Sequence, residues 1–86
     1  MLIRAPAKVN LRLEILGKRD DGYHEILSLI QPVSLFDEVK ISTMEGRKKI
    51  TVRCSDPSVP SDDANIAFKA AELLMKRCGI SLNVNI

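Results

Sequence analysis

The sequence predicts an α+β fold in which one sheet and one packed helix are built from elements in the order ββββαβ. Alternating apolar and polar residues, clearest over residues 7–15 and 39–54, predict strands. From about Asn65 to Cys78 the apolar residues recur at helical spacing instead. With 45% hydrophobic and 28% charged residues, the 86-residue chain is expected to form one small globular domain over residues 1–86.

The first strand is expected over residues 7–15, where apolar residues occupy every odd position and predict one buried face. The polar residues between them include Lys8 and Asn10, which therefore lie on the same face of the strand. Residues 17–22 are rich in glycine and aspartate and are numerous enough to close a hairpin.

The second strand is expected from Tyr23 to Leu35, where apolar residues at odd and even positions are typical of a strand covered on both faces. Apolar and polar residues also alternate on either side of a polar turn, over residues 39–43 and 49–54. This pattern predicts a second hairpin. A fifth alternating strand over residues 80–86 reaches the last residue, so the chain is expected to stop within this strand.

The helix is expected to follow a loop that contains two prolines. Ser61, Asp62 and Asp63 are the candidate capping residues at its start, and Gly79 is a stop signal at its end. The apolar stripe expected to pack on the sheet consists of Ile66, Ala67, Ala70, Ala71 and Leu74.

Charge and cysteine content argue against several classes of protein. A formal net charge of +2 does not demand a nucleic-acid partner, and three aromatic residues offer few stacking platforms for bases. Cys54 and Cys78 lack metal-binding spacing, so no metal site and no disulfide is predicted, and two reduced, partly buried thiols are expected. A membrane span and a signal peptide are not recognisable, which favours a cytoplasmic location.

Two motifs near the N-terminus point to a ligand-binding surface. They are Pro6-Ala7-Lys8-Val9-Asn10-Leu11 and Arg19-Asp20-Asp21-Gly22-Tyr23-His24, and Gln31 and Asn65-Ile66 follow at set distances. In this order they resemble the N-terminal part of the GHMP-type small-molecule kinases, in particular the branch that acts on 4-diphosphocytidyl-2-C-methyl-D-erythritol in non-mevalonate isoprenoid biosynthesis. The resemblance covers nearly the whole chain.

The resemblance implies transfer of the γ-phosphoryl group of ATP, with Mg²⁺, onto a hydroxyl of the methylerythritol part. It implies that Lys8 is catalytic beside the reacting hydroxyl and that Asn10 binds the same polyol. Tyr23 and His24 are implied to bind the cytidine end of the substrate, and Asn65 the adenine side of ATP. These residue types suit the chemistry, because an ammonium stabilises negative charge, an amide orients hydroxyls and an aromatic ring stacks on a pyrimidine.

Each of these residues also has a structural interpretation. Lys8 could be a solvated charge, and Asn10 could bond to backbone. Tyr23 and His24 could simply pack at the start of a strand. Asn65 could be a helix N-cap. Their joint occurrence in family order favours the functional interpretation for the first four.

A phosphate-binding loop is not recognisable, because the four glycines never cluster. The resemblance implies that this loop and a catalytic aspartate lie beyond the last residue. We therefore expect an N-terminal fragment that is inactive alone, binds no ATP and self-associates through uncovered apolar surface. Residues expected to lack cover are Ile80, Leu82, Val84 and Ile86, with parts of 23–35. The alternative function is a non-catalytic module that contacts nucleic acid through the basic tip Arg47-Lys48-Lys49.

Overall fold

The computed structural model describes all 86 residues. Its elements are β1 (Leu2–Lys18), β2 (His24–Lys40), β3 (Ser42–Glu45), β4 (Lys49–Thr51), α1 (Ile66–Cys78) and β5 (Leu82–Asn85), which confirms the predicted order ββββαβ. The chain divides into two compact units. Arg4–Glu38 form the hairpin unit, and Met1–Ile3 with Val39–Ile86 form the helix unit.

The strands form two sheets instead of the single sheet predicted. β1 and β2 make a two-stranded sheet, and the other sheet has the strand order β3-β5-β4. In the latter, Thr43 pairs antiparallel with Val84, and Ile50 pairs parallel with the same residue. The prediction of a hairpin between β3 and β4 is therefore wrong. Because β5 lies between them, the backbone groups on both of its edges find partners.

Gly46 permits the close approach of β5 to the turn between β3 and β4. Its φ of 149° lies in a region that side chains rarely adopt. A Cβ atom at this position would lie 2.7 Å from Nδ2 of Asn83 in β5. A residue larger than glycine would therefore crowd the side chain of Asn83 and would have to adopt this unfavourable φ.

The core of the helix unit lies between α1 and the three-stranded sheet. Its buried apolar residues are Val52, which follows β4, Met75 of α1, and Val84 of β5. Helix α1 connects the parallel strands β4 and β5, as a crossover between parallel neighbours requires. The core is small, because these three are the only buried apolar residues and none of them is completely buried.

The face of α1 that packs is rotated from the predicted one. Ala67 and Ala71 are half-buried, as expected, and Phe68 and Met75 complete this face. Three members of the predicted stripe are exposed instead: Ile66, Ala70 and Leu74. Apolar residues surround much of this helix, so its sequence is compatible with more than one buried face.

The hairpin unit has no buried residue. Within it only Glu14, Ser28 and Val33 are even half-buried. Leu29 and Ile30, on opposite faces of β2, are 57% and 50% exposed. The predictions of one buried face on β1 and two covered faces on β2 are therefore wrong for this chain, because a two-stranded sheet has no second layer of its own.

β5 is the central strand of its sheet and not an uncovered terminal strand. Val84 is buried, and Leu82 and Ile86 are half-buried. The backbone N–H of Ile86 donates to the carbonyl of Thr51 at 2.9 Å, so pairing with the β4 segment continues to the last residue. The expectation that this strand lacks cover is wrong for Val84; Ile80 alone among its predicted apolar residues is exposed.

Candidate functional site

Lys8 and Asn10 lie together on β1 and meet a third polar residue, Ser28 of β2. The Nζ atom of Lys8 donates a hydrogen bond of 3.1 Å to Oδ1 of Asn10. The Oγ atom of Ser28 donates to the same oxygen at 3.3 Å. The common face predicted for Lys8 and Asn10 is thus observed, and we call the three residues the polar cluster.

The polar cluster can donate hydrogen bonds and positive charge to a ligand. Oδ1 of Asn10 accepts two hydrogen bonds, which occupies its two lone pairs, whereas the Nδ2 group keeps its N–H donors. The ammonium of Lys8 has further donors beyond the one directed at Asn10. Such a set suits hydroxyl oxygens or the oxygens of a phosphoryl group. Ser28 was not predicted from the sequence. Its position within the second strand was the only available signal, and that position does not show which residue of the first strand it contacts.

The turn between β1 and β2 presents Tyr23 and His24 to solvent. Gly22 adopts a φ of 87°, which favours glycine. The backbone of Tyr23 is held on both sides: its N–H donates to Oδ1 of Asp21 at 3.0 Å, and its carbonyl accepts from the N–H of Arg19 at 2.6 Å. Tyr23 is 75% exposed, and His24 is exposed as well. A fixed backbone with a free ring suits stacking on a flat ligand.

Charged residues surround this turn. The guanidinium of Arg19 lies 3.1 Å from Oδ2 of Asp21 and 3.6 Å from Oε1 of Glu25. Both pairs are exposed, so each contributes less than about 1 kcal/mol to stability. An open, shallow depression is lined by residues 18–21. The turn therefore offers a surface to a ligand and not an enclosed pocket.

Asn65 lies in the helix unit and is the N-cap of α1, with φ −68° and ψ 135°. Its Oδ1 accepts from the N–H of Ala67 at 2.8 Å, and its Nδ2 donates to the carbonyl of Pro60 at 2.7 Å. The residue is only 9% exposed. The structural interpretation of Asn65 is thereby confirmed, and the adenine-side role stays a prediction.

The caps predicted for α1 from sequence alone have a mixed outcome. A cap at Ser61, Asp62 or Asp63 is wrong by a few residues, since the helix begins at Ile66. Asp62 instead accepts from the N–H of Ala64 at 2.9 Å and shapes the turn before the cap. Gly79 ends the helix as predicted.

The basic tip between β3 and β4 is not a free group of three cations. Nζ of Lys48 lies 3.8 Å from Oε1 of Glu72 on α1.

Cys54 and Cys78 are free thiols and are both exposed, so the expectation of partial burial is wrong. Three or more His, Cys, Asp or Glu side chains do not converge anywhere to hold a metal ion. No helix is long and apolar enough to cross a membrane.

Comparison with known proteins identifies relatives of this chain. No family model matches it. A 4-diphosphocytidyl-2-C-methyl-D-erythritol kinase of Carboxydothermus hydrogenoformans is 48% identical over 86 residues, covering 100% of this chain and 29% of the relative. The kinase of the same name from a Nostoc species is 47% identical over 73 residues, covering 85% of this chain and 23% of the relative. A crystal structure of a 4-(cytidine 5'-diphospho)-2C-methyl-D-erythritol kinase superposes with a TM-score of 0.68 at 33% identity, over 99% of this chain and 29% of that one.

The fold matches the N-terminal region of a GHMP-type small-molecule kinase. Within that class the chain is similar over nearly its whole length to part of the 4-diphosphocytidyl-2-C-methyl-D-erythritol kinases, and the resemblance seen in its motifs is confirmed. The chain spans between 23% and 29% of the length of these relatives.

Proposed function

We propose that this chain forms the N-terminal, substrate-binding region of a cytoplasmic kinase that transfers the γ-phosphoryl group of ATP to a hydroxyl of 4-diphosphocytidyl-2-C-methyl-D-erythritol in non-mevalonate isoprenoid biosynthesis. The observation that carries the proposal is the hydrogen bond between Lys8 and Asn10 on one exposed strand face, in a chain whose relatives are kinases of that name. The small-molecule substrate is the proposed partner.

Lys8 is the proposed catalytic residue. In the reaction the hydroxyl oxygen forms a bond to the γ-phosphorus, the bond to the ADP oxygen breaks, and the hydroxyl proton passes to a base. An ammonium beside the reacting oxygens stabilises the negative charge that is redistributed in the transition state. Asn10 then holds the polyol through its free Nδ2 donors, so that the reacting hydroxyl stays near Lys8.

Tyr23 and His24 are the proposed contacts to the cytidine end. The exposed ring of Tyr23 supports stacking on the pyrimidine, because hydrogen bonds to Arg19 and Asp21 fix its backbone while the ring remains free. His24 begins β2 directly after it and offers imidazole nitrogens to the base or its diphosphate.

ATP and Mg²⁺ are proposed as cofactors of the intact enzyme and not of this chain alone. The separated glycines provide no loop for a triphosphate, and no carboxylate cluster suits Mg²⁺. Asn65 is the one residue proposed for the adenine side. We expect this chain alone to transfer no phosphoryl group and to bind no ATP, and calorimetric titration with ATP and Mg²⁺ checks this. Saturable micromolar binding would contradict it.

The function is tested in a chimaera in which this chain replaces the matching segment of the Carboxydothermus hydrogenoformans kinase. The chimaera should phosphorylate the cytidylated substrate. Lys8→Ala should lower kcat by about 10²-fold or more, as expected when a charge acting on the transition state is removed. His24→Ala should chiefly raise KM. Lys40→Ala removes an exposed lysine of β2 outside the polar cluster and serves as the matched control.

Two results would count against this proposal. One is a folded chimaera without kinase activity. The other is a Lys8→Ala variant whose turnover stays within about twofold of the parent, a loss of roughly 0.4 kcal/mol of transition-state stabilisation.

We also propose that this chain alone self-associates. Both faces of the hairpin unit expose apolar side chains, and uncovered apolar patches beyond a few hundred Å² are rare in monomers. A second copy is the simplest cover, as a two-fold dimer. Sedimentation equilibrium at micromolar concentration checks this, and a folded, strictly monomeric species that binds no dye for apolar surface would overturn it. A nucleic-acid role is less favoured, since Lys48 pairs with Glu72.

A further inference from the structure

Ser28 is the one member of the polar cluster without a role so far. It lies on β2, 18 positions from Asn10 in sequence, and reaches it across the two-stranded sheet. It is half-buried in a unit where nearly every other side chain is exposed. Its only side-chain hydrogen bond is the one that it donates to Oδ1 of Asn10.

The side-chain amide of Asn10 has two orientations that differ by a half turn. One presents the Nδ2 donors to a ligand and the other presents the Oδ1 acceptor. Two donors, Lys8 and Ser28, converge on Oδ1. A flipped amide would place N–H groups against the ammonium of Lys8, which cannot accept a hydrogen bond. The cluster therefore selects the orientation in which Asn10 donates outward.

Lys8 cannot maintain this orientation through a reaction cycle by itself. Its flexible four-carbon stem must direct the ammonium to the reacting oxygens when substrate is bound. The hydroxyl of Ser28 is attached one carbon from the backbone of the neighbouring strand, so it moves little. Ser28 is thus the partner of Asn10 that remains in place when Lys8 turns to the substrate.

We propose that Ser28 is a positioning residue that holds the Asn10 amide with its Nδ2 group directed at the hydroxyl oxygens of the substrate polyol. The inference rests on the proposed function for the identity of the ligand and for the role of Lys8. The orientation of Asn10 follows from the hydrogen bonds within the hairpin unit. In this role Ser28 acts through Asn10 and not by contact with the substrate.

The matched variants are Ser28→Thr and Ser28→Val. They differ only in that threonine keeps the hydroxyl, where valine has a methyl group. Both side chains are favourable in a strand, so neither is expected to prevent folding. Nuclear relaxation of the Asn10 side-chain ¹⁵NH₂ group, measured in this chain, reports how firmly the amide is held. Ser28→Val should lower its order parameter below about 0.6, the range of flexible groups, whereas Ser28→Thr should leave it as in the parent chain.

Kinetics of the chimaera test the consequence for the substrate. Ser28→Val should raise KM for the cytidylated substrate by about 2- to 12-fold, the range for one lost neutral hydrogen bond, and Ser28→Thr should restore it. Ser34→Val, an exposed serine of the same strand, is the control and should change neither quantity.

Failure of the inference is distinguishable from failure of the proposed function. If the order parameter of Asn10 is the same in Ser28→Val and Ser28→Thr, the positioning role is overturned, while activity of the parent chimaera still judges the kinase proposal. If the amide is mobilised but KM is unchanged, Asn10 is not held for the substrate and the inference is overturned at that step. A joint change in both quantities supports it.

Discussion

Asn65→Ala should destabilise the helix unit by about 2 kcal/mol. Two hydrogen bonds of the side chain are lost at once. Removal of the acceptor for the N–H of Ala67 costs about 1 kcal/mol, as for other N-caps. Removal of the donor to the carbonyl of Pro60 costs roughly another 1 kcal/mol. For a chain of this size the free energy of unfolding falls by about 1 kcal/mol per M urea. The urea concentration at the unfolding midpoint should therefore fall by about 2 M.

Two further variants separate the contributions. Asn65→Asp keeps the acceptor and adds a charge that suits a helix N-terminus, but it loses the donor to Pro60, so its free energy of unfolding should lie between those of the parent and Asn65→Ala. Ser61→Ala removes a residue that sequence alone offers as the cap. The helix begins at Ile66, so this variant should stay within about 0.5 kcal/mol of the parent.

The assay is urea unfolding followed by far-ultraviolet circular dichroism, together with hydrogen exchange of the Ala67 amide. Exchange at this amide should accelerate in Asn65→Ala because its acceptor is gone. A loss under about 0.5 kcal/mol for Asn65→Ala, or an equal loss for Ser61→Ala, would contradict the stabilising role of the Asn65 side chain.

Two other predictions concern the turn at Gly46 and the loop at Asp56. Gly46→Ala should lower the free energy of unfolding by about 2 kcal/mol, since its Cβ meets Asn83 and its φ is unfavourable. Gly17→Ala is the control, because a Cβ there meets no neighbour. Equal unfolding midpoints for the two variants would contradict this prediction. The side-chain and backbone donors of Ser58 lower the pKa of Asp56. The resulting stabilisation is present above the unfolded-state pKa and is lost as pH falls through the lowered folded-state pKa. Ser58→Ala should raise that pKa in an NMR titration, and an unchanged value would remove the assigned cause.

Much of the candidate site could be predicted from local pattern. Alternation along one strand is enough to place Lys8 and Asn10 on the same face, because successive side chains point to opposite sides. The turn that presents Tyr23 and His24 was recognisable from its glycine and aspartates. Ser28 could not be found this way, since it is 18 positions from Asn10 in sequence and contacts it only because the two strands pair.

The sequence by itself determined the order of the elements, the end of the helix at Gly79 and the motifs that make the chain similar to 4-diphosphocytidyl-2-C-methyl-D-erythritol kinases. These features depend on residues close together along the chain, where periodicity and backbone preference act directly. Tertiary structure decided which neighbours each element has. In the folded chain β5 lies between β3 and β4. The helix is apolar on several sides, and the face that contains Met75 is the one that is buried. Both outcomes follow from pairing and burial between distant segments, which local pattern does not specify.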